Sequence, residues 1–396
     1  MKILSDILLK GKVVLLRVDF NVPLDSLFNI TDDSRMVSSV ETIKKIIDSG
    51  GKAVIMSHLG RPKNGFENCF SLKHIVNHLS VLLNSPVDFS ADCVGEGVLK
   101  KIKKMKNGDI LLLENIRFHK EELLGDVVFA KELSKLGDVY VNDAFGSAHR
   151  KHASTSVIAS FFPKEKCFGL LLSNEVENLN FVMENPKKPF TAVIGGAKIT
   201  GKIDVIRALF NKVDTLIIGG GMAYTFVKAL GGNIGKSIME ESKLILAKSL
   251  IEEAKKKGVR LLLPSDSVNA NAFNNDALVC TSDISQIPND FMGLDIGPNS
   301  VALFSEVILN SKTIVWNGPM GVFEMQKFST GTKMIGKAIS LATQKGAFSL
   351  VGGGDSISAI KKFGFSENIS YISTGGGAML EYLEGKLLPG IKAIQN

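Results

Sequence analysis

Short, almost wholly apolar runs alternate along this chain with longer stretches whose apolar residues recur at helical spacing. That alternation admits few architectures. An apolar run without a polar face must be covered on both sides, and the helix that follows each run is what covers it. The pattern therefore calls for βαβ units and parallel sheets, an α/β fold. In the first half the runs are Val13–Val18, Lys52–Met56, Val87–Phe89, Ile110–Leu113 and Val139–Val141, with helices expected over Met36–Ile47, Ser71–Leu83, Val94–Met105 and Val127–Leu136. In the second half they are Thr191–Ile194, Thr215–Ile218, Arg260–Leu263, Ala277–Cys280, Thr313–Trp316, Phe348–Val351 and Ile369–Ser373, with helices between them such as Glu240–Lys256 and Val301–Leu309. Between the halves, Phe161–Pro189 reads as a connection. Pro163, Pro186 and Pro189 bracket a helical stretch, Leu170–Met183, which is expected to be an interdomain rod and hinge.

In such sheets ligands bind beyond the C-terminal ends of the strands. In the first half the polar residues collect there: Arg17, Asp19 and Asn21 after one strand, His58 and Arg61 after the next, then Glu114 and Arg117, then Asn142. Arg35 and Arg150 lie on nearby loops, with His149 beside the latter. Several cations brought to one edge repel each other unless something anionic sits among them, and the planar guanidinium fork matches carboxylate and phosphate. A pocket for a compact polyanion is the expectation. Glu114 reads as a neutraliser of Arg17. No Ser/His/Asp order and no carboxylate pair calls for nucleophilic or acid–base catalysis.

The second half carries glycine turns where strands pass into helices. In Pro189–Ile203 (PFTAVIGGAKITGKI) a strand ends at Gly195-Gly196, and Lys198 and Lys202 follow before a helix. Gly219-Gly220-Gly221, Gly352-Gly353-Gly354-Asp355 and Gly375-Gly376-Gly377 repeat the arrangement. Glycines let backbone approach an anion, helix N-termini offer free N–H groups and lysines add charge, so the four turns read as a nucleotide cradle. Gly196–Lys202 also fits G-x-x-x-x-G-K, but Ile203 stands where a P-loop needs Ser or Thr for Mg²⁺. Asp355 suits an N-cap or, beside phosphates, Mg²⁺.

A net charge of +7, from 47 basic and 40 acidic residues among 396, suits acidic small molecules. There is no basic tract interleaved with aromatics, so nucleic acid is not the expected partner, and Lys100–Lys106 reads as a solvated helix face. Cys69, Cys93, Cys167 and Cys280 form no CxxC pair, which argues against a disulfide framework or a structural zinc. His74 and His78 are four apart without an HExxH context. No apolar run approaches a membrane span, and no secretory leader is visible, so a cytoplasmic protein is expected.

RVDFNVP (Arg17–Pro23), DDSR (Asp32–Arg35), SHLGRP (Ser57–Pro62), LLENIRF (Leu112–Phe118), NDAFGSAHRKHAS (Asn142–Ser154), GGAKITGKI (Gly195–Ile203), GGGMAYTF (Gly219–Phe226), GLDIGP (Gly293–Pro298), WNGPMGVFE (Trp316–Glu324), GGGDS (Gly352–Ser356) and STGGGA (Ser373–Ala378) together resemble the phosphoglycerate kinases, in order and over essentially the whole chain. The resemblance implies two Rossmann-like three-layer αβα domains with parallel sheets joined by a hinge helix. It divides the chain into 1–168 for 3-phosphoglycerate, 169–188 as interdomain helix and hinge, 189–376 for the nucleotide, and 377–396 returning to the first domain. It implies transfer between 1,3-bisphosphoglycerate and ADP, with Mg²⁺, in a monomer that closes over its substrates. Carried over, Asp19, Asn21, Arg35, His58, Arg61, Arg117, His149 and Arg150 hold the triose acid. Lys198, Lys202, Gly219, Gly220, Gly293, Asn317, Pro319, Glu324, Gly353, Gly354, Asp355 and Ser356 hold the nucleotide, Asp355 holding its Mg²⁺ and Glu324 the ribose. Arg35, Lys198, Lys202, Gly353 and Gly375 are implied to serve the transferring group. Lys151, Ser265 and Thr200-Gly201 depart from the family pattern without displacing an assigned residue.

Overall fold

A computed structural model describes residues 2–395. The chain forms two compact units, one from the residues up to Glu177 together with those from Leu387 on, the other from Asn178–Lys386. In the first, strands β1 (Val13–Arg17), β2 (Lys52–Met56), β3 (Val87–Ser90), β4 (Ile110–Leu113), β5 (Val139–Asn142) and β6 (Lys166–Phe168) make one sheet in the order β3-β4-β2-β1-β5-β6. Every pairing is parallel. β1, β4 and β5 are buried almost throughout, as near-continuous apolar strands must be. Leu16, Ile55, Leu112 and Val141 pack with Ile43 and Ile46 of the helix Ser34–Asp48 and Leu79 of the helix Val76–Leu83. Each such side chain contributes roughly 1.5–3 kcal/mol by leaving water. Arg17 lies level with Met56 on one side and Asn142 on the other, so the loops after β1, β2 and β5 leave the sheet side by side.

The sequence reading placed Phe161–Pro189 in the connection. Its start is instead the edge strand β6, where Lys166 pairs with Tyr140 and Phe168 with Asn142. Three residues beginning with lysine carry no apolar-run signal. The helix Leu170–Glu184 follows, and the division between the units falls inside it. Its start is capped by Asp143, whose Oδ1 accepts the Leu172 N–H at 3.0 Å; burial pushes that carboxyl up to about 6.

The helix Pro389–Gln395 belongs to the first unit, with Leu388, Ile391 and Ile394 buried. The Gly390 N–H donates to Ala148 O at 2.8 Å and Lys166 Nζ to Ala393 O at 2.8 Å. Gly377–Leu383, expected in the returning segment, lies instead in the second unit, where it packs on the helix Ile203–Leu209.

The second unit has β7 (Phe190–Ile194), β8 (Thr215–Ile218), β9 (Asn233–Ile234), β10 (Arg260–Leu262), β11 (Asp266–Ala270), β12 (Val279–Asp283), β13 (Gln286–Ile287), β14 (Met292–Ile296), β15 (Thr313–Asn317), β16 (Phe348–Gly352) and β17 (Tyr371–Ser373). Its main sheet runs β10-β8-β7-β15-β16-β17, all parallel. A separate antiparallel sheet, β12-β11-β14, takes the segment that Ala277–Cys280 was expected to add to the parallel one. Exposed and half-buried residues alternate along β12, the mark of a sheet wetted on one face. The helix expected from Glu240 starts at Leu244, after a 3₁₀ turn over Glu241–Lys243.

Candidate active site

At the C-terminal edge of the first sheet lies a cavity of about 530 Å³, lined by Asp19, Asn21, Arg35, His58, Arg61, Arg117, His149 and Arg150 among others. All eight residues assigned from sequence to the triose acid surround it. Each is delivered by a different local device. Arg35, in the first turn of the helix Ser34–Asp48, reaches back with Nη1 to Asn21 O at 2.9 Å and Asp19 Oδ1 at 3.4 Å. Asn21 Oδ1 accepts the Gly60 N–H at 2.8 Å and so ties the loop after β1 to the loop after β2. Asn115 accepts the Arg117 N–H at the 3₁₀ turn Ile116–Phe118, and Arg117 Nη1 donates to Gly60 O at 2.7 Å.

The electrostatics favour an anion. Burial, then the nearby Arg17, lowers the Arg117 pKa to about 10, so it remains a cation. Burial would raise the Asp19 carboxyl, but Arg35, Arg17 and the Asn21 N–H outweigh it and hold Asp19 below the usual range. Burial holds His58 well below its ordinary value, so its ring is neutral. Arg17 can only donate, so His58 Nδ1 accepts from Arg17 Nη2 at 3.2 Å, leaving the proton on Nε2. Nε2 lies 3.8 Å from Asp19 Oδ1. Four guanidiniums thus face one carboxylate across the cavity.

Three strand-end residues that looked like site candidates are scaffold. Arg17 is fully buried; Nε donates to Ser154 Oγ at 2.9 Å, and Ser154 Oγ donates to Glu122 Oε1 at 2.7 Å. Its counter-charge therefore runs through Ser154 to Glu122, and the pairing expected with Glu114 is corrected. Glu114 accepts instead from Ser71 Oγ, Leu72 N–H and Asn115 N–H. Asn142 donates to Thr155 O and Gly390 O. His152, within a motif read from the sequence but given no role, lines the cavity; burial, with Arg117 and Arg17, lowers its pKa to about 4.

At the corresponding edge of the second unit's parallel sheet is a cavity of about 670 Å³. Gly220, Gly293, Pro319, Glu324 and Asp355 line it, as assigned. The Gly195 N–H donates to Asn317 O and the Gly196 N–H to Pro319 O, which locks the turns after β7 and β15 together. Gly220 has φ +66°, and a Cβ there would lie 2.6 Å from Gly196 N. Gly353, φ +94°, caps the helix Gly354–Lys362, and a Cβ would lie 2.7 Å from Asn317 Nδ2. The walls missed from sequence are apolar: Tyr224, Ile238, Phe273, Met292, Leu294, Val322 and Met325. A flat aromatic base fits such a slot, but scattered apolar residues look like core in a sequence.

Other assigned residues lie outside that lining. Burial lowers Lys202 to about 8 against the pull of the Asp355 carboxylate. Lys198 is exposed beside a loop that Glu240 holds through the Ile199 and Thr200 N–H groups. Gly219 lies under Met320, where a Cβ would meet Sδ at 2.4 Å. Asn317 and Ser356 are buried and shape the turns: Asn317 Nδ2 donates to Gly352 O, and Ser356 Oγ accepts the Gly318 N–H. The Gly375 N–H, expected to face the transferring group, is given to Ser373 Oγ at 3.1 Å, because the loop folds back before the helix starts.

An α/β chain with a compact polycationic cavity on one unit and a glycine-turned, apolar-walled slot with acidic residues at its rim on another is a nucleotide-dependent phosphotransferase. The family model described as phosphoglycerate kinase matches residues 4–386. Phosphoglycerate kinases of Chlorobium chlorochromatii (51% identical, covering 100% of this chain and 99% of the relative) and Porphyromonas gingivalis (50%, 97% and 98%) are similar throughout. Solved phosphoglycerate kinase structures from Coxiella burnetii (TM-score 0.90, 41% identical, 99% and 98% covered) and Pyrococcus horikoshii (0.83, 32%, 100% and 98%) share the fold. The chain belongs to the phosphoglycerate kinase family. Its reaction is phosphoryl exchange between 1,3-bisphosphoglycerate and ADP, giving 3-phosphoglycerate and ATP in glycolysis.

Proposed function

We propose that the first cavity holds the triose acid and the second the nucleotide, and that transfer is in line between them. The observation that carries this division is the contrast in lining: guanidiniums around one cavity, glycine backbone and apolar side chains around the other. The carboxylate of 3-phosphoglycerate attacks the γ-phosphoryl group without a general base. Catalysis is then positioning and charge neutralisation. Arg35, its Nη1 held by Asn21 O, leans over the transferring group. Lys202 meets it from the nucleotide side with Lys198 on the adjoining loop, and the Gly353 turn offers backbone N–H. His58 stays neutral and donates from Nε2. The two ligands belong to different units, so the reaction requires a closing motion, which also excludes water from the phosphoryl group.

Asp355 fits the Mg²⁺ that accompanies a nucleotide: it is exposed at a helix start, lines the slot and faces Lys202. Mg²⁺ is commonly held by one or two carboxylates plus substrate phosphates, and when bound it neutralises phosphate charge. Glu324 at the rim takes the ribose hydroxyls. We further propose a monomer, as the family resemblance implies, and a cytoplasmic setting, which suits four free cysteines. No helix among the described residues is long and apolar enough to cross a membrane.

The test is a coupled assay with 3-phosphoglycerate and MgATP, in which a dehydrogenase consumes 1,3-bisphosphoglycerate and oxidises NADH. Turnover on the order of 10–10³ s⁻¹ is the expected result. Absence of turnover in protein that binds both ligands would refute the transfer geometry.

A further inference from the structure

β3 and β4 are neighbours, and Ser90 at the end of one pairs with Leu113 at the end of the other. Their following loops therefore emerge together. One carries Asp92 and Cys93, the other His119, just past the turn Ile116–Phe118. A carboxylate oxygen of Asp92, the Sγ of Cys93 and a ring nitrogen of His119 lie within 4.8 Å of one another. We propose that these three side chains bind a thiophilic divalent transition ion of the Zn²⁺ class, at a site separate from the nucleotide's Mg²⁺.

The donor set decides the ion. Sulfur, imidazole and carboxylate together suit zinc and its neighbours, whereas Mg²⁺ takes oxygen ligands. The bond lengths of a tetrahedral zinc put its ligand atoms roughly 3.5 Å apart, so the triad needs to draw in by about an ångström. Three protein ligands leave the fourth position to water. The approach is built asymmetrically: Cys93 is buried, His119 half-buried and Asp92 exposed, so the ion enters past the carboxylate and seats on the thiol. His119 is fixed for the task. Its ring stacks on Phe129 with centroids 5.0 Å apart, and Nε2 lies 2.9 Å from Asp92 Oδ1. The Cys93 N–H donates to the same oxygen at 2.6 Å.

On binding, the thiol proton leaves to solvent as the S–metal bond forms, and the Nε2 proton that His119 donates to Asp92 is given up to solvent while Nδ1 holds the ring's one remaining proton, which frees Nε2 to bind the ion. Cys93 and His119 are too far apart in sequence for any short spacing motif to reveal the site.

The experiment is titration of the full-length protein with Co²⁺ in the absence of nucleotide. A thiolate-to-cobalt charge-transfer band with visible d–d bands should grow to one equivalent and be displaced by Zn²⁺. Cys93→Ser should abolish the charge-transfer band while Cys69→Ser, at an exposed cysteine, keeps it. No band in the parent protein, or a band that survives Cys93→Ser, overturns the site. Asp92→Asn changes only an exposed side chain and covers the case in which Cys93→Ser does not fold. Its Co²⁺ affinity should fall at least about tenfold, since even outer-shell partners are worth that much. Unchanged affinity overturns the site equally.

Discussion

Arg35 lines the first cavity, and Lys202 is half-buried near Asp355 at the second. Arg35 is anchored by Asn21 O. Arg35→Ala should lower kcat by orders of magnitude while the KM for 3-phosphoglycerate changes less, as its proposed role at the transferring group requires. Steady-state kinetics in the coupled assay would show the split; a change confined to KM would remove Arg35 from the transfer step. Lys202 has a pKa of about 8 in the free protein, below that of an exposed lysine. Nucleotide phosphates favour the ammonium and raise it. Affinity should therefore be level below pH 8 and weaken as pH rises above it, as the free protein loses a proton that the complex keeps. Lys202→Arg, charged throughout, should remove the break in a calorimetric series. A break that persists in that variant belongs to another group. At this scale the sequence is informative about residue type and silent about direction. Arg17, Arg35 and Arg117 read alike on paper; burial against Ser154 makes the first a scaffold, while the other two reach the cavity. His152 escaped assignment for the same reason, and the orientation of Gly375 depends on Ser373.

The strand-to-helix turns line the second cavity, and their geometry leaves little tolerance. Gly220→Ala puts a methyl group 2.6 Å from backbone at a positive φ. The backbone strain alone costs on the order of 1–3 kcal/mol. We expect a lower melting temperature and loss of nucleotide binding, with 3-phosphoglycerate binding retained. Gly231→Ala, also at positive φ but with open space around its Cβ, is the comparison: it shares the strain and should keep the nucleotide. If both variants bind normally, the close approach of the turns after β7 and β8 is not what shapes the slot. The parallel strands were legible because they are continuous apolar runs. β11, with its Asp-Ser-Val-Asn-Ala sequence, and the alternating β12 were not, since an antiparallel sheet wetted on one face carries half its residues as polar. β6 was hidden by its length, and it draws part of the apparent linker into the first sheet.

Each unit has its own hydrophobic core, and the first is discontinuous in sequence. Ending the chain at Lys386 would remove Leu388, Ile391 and Ile394 from its core, together with the acceptors of Asn142 and Lys166. Those three side chains are worth roughly 1.5–3 kcal/mol each, more than enough to matter in a marginally stable unit. The truncated protein should lose 3-phosphoglycerate binding and show an early thermal transition, while still binding nucleotide in the second unit. Retention of both ligands would mean that the segment is dispensable. The sequence motifs and the alternation of elements indicated two α/β halves, but only packing shows where the polypeptide crosses between them.

That discontinuity also sets an order of assembly. A ribosome delivers residues from the amino end, and domains made of one continuous stretch can mature as they emerge. Here Asn142, in the middle of the first sheet, and Ala148, beside the anion cavity, bind a peptide segment that is translated only after all of Asn178–Lys386. The half made first is therefore completed last. During synthesis the second half can reach its finished form while the arginine-lined half still lacks a piece of its core, so a nascent chain gains both finished cavities only once translation has passed the second half entirely.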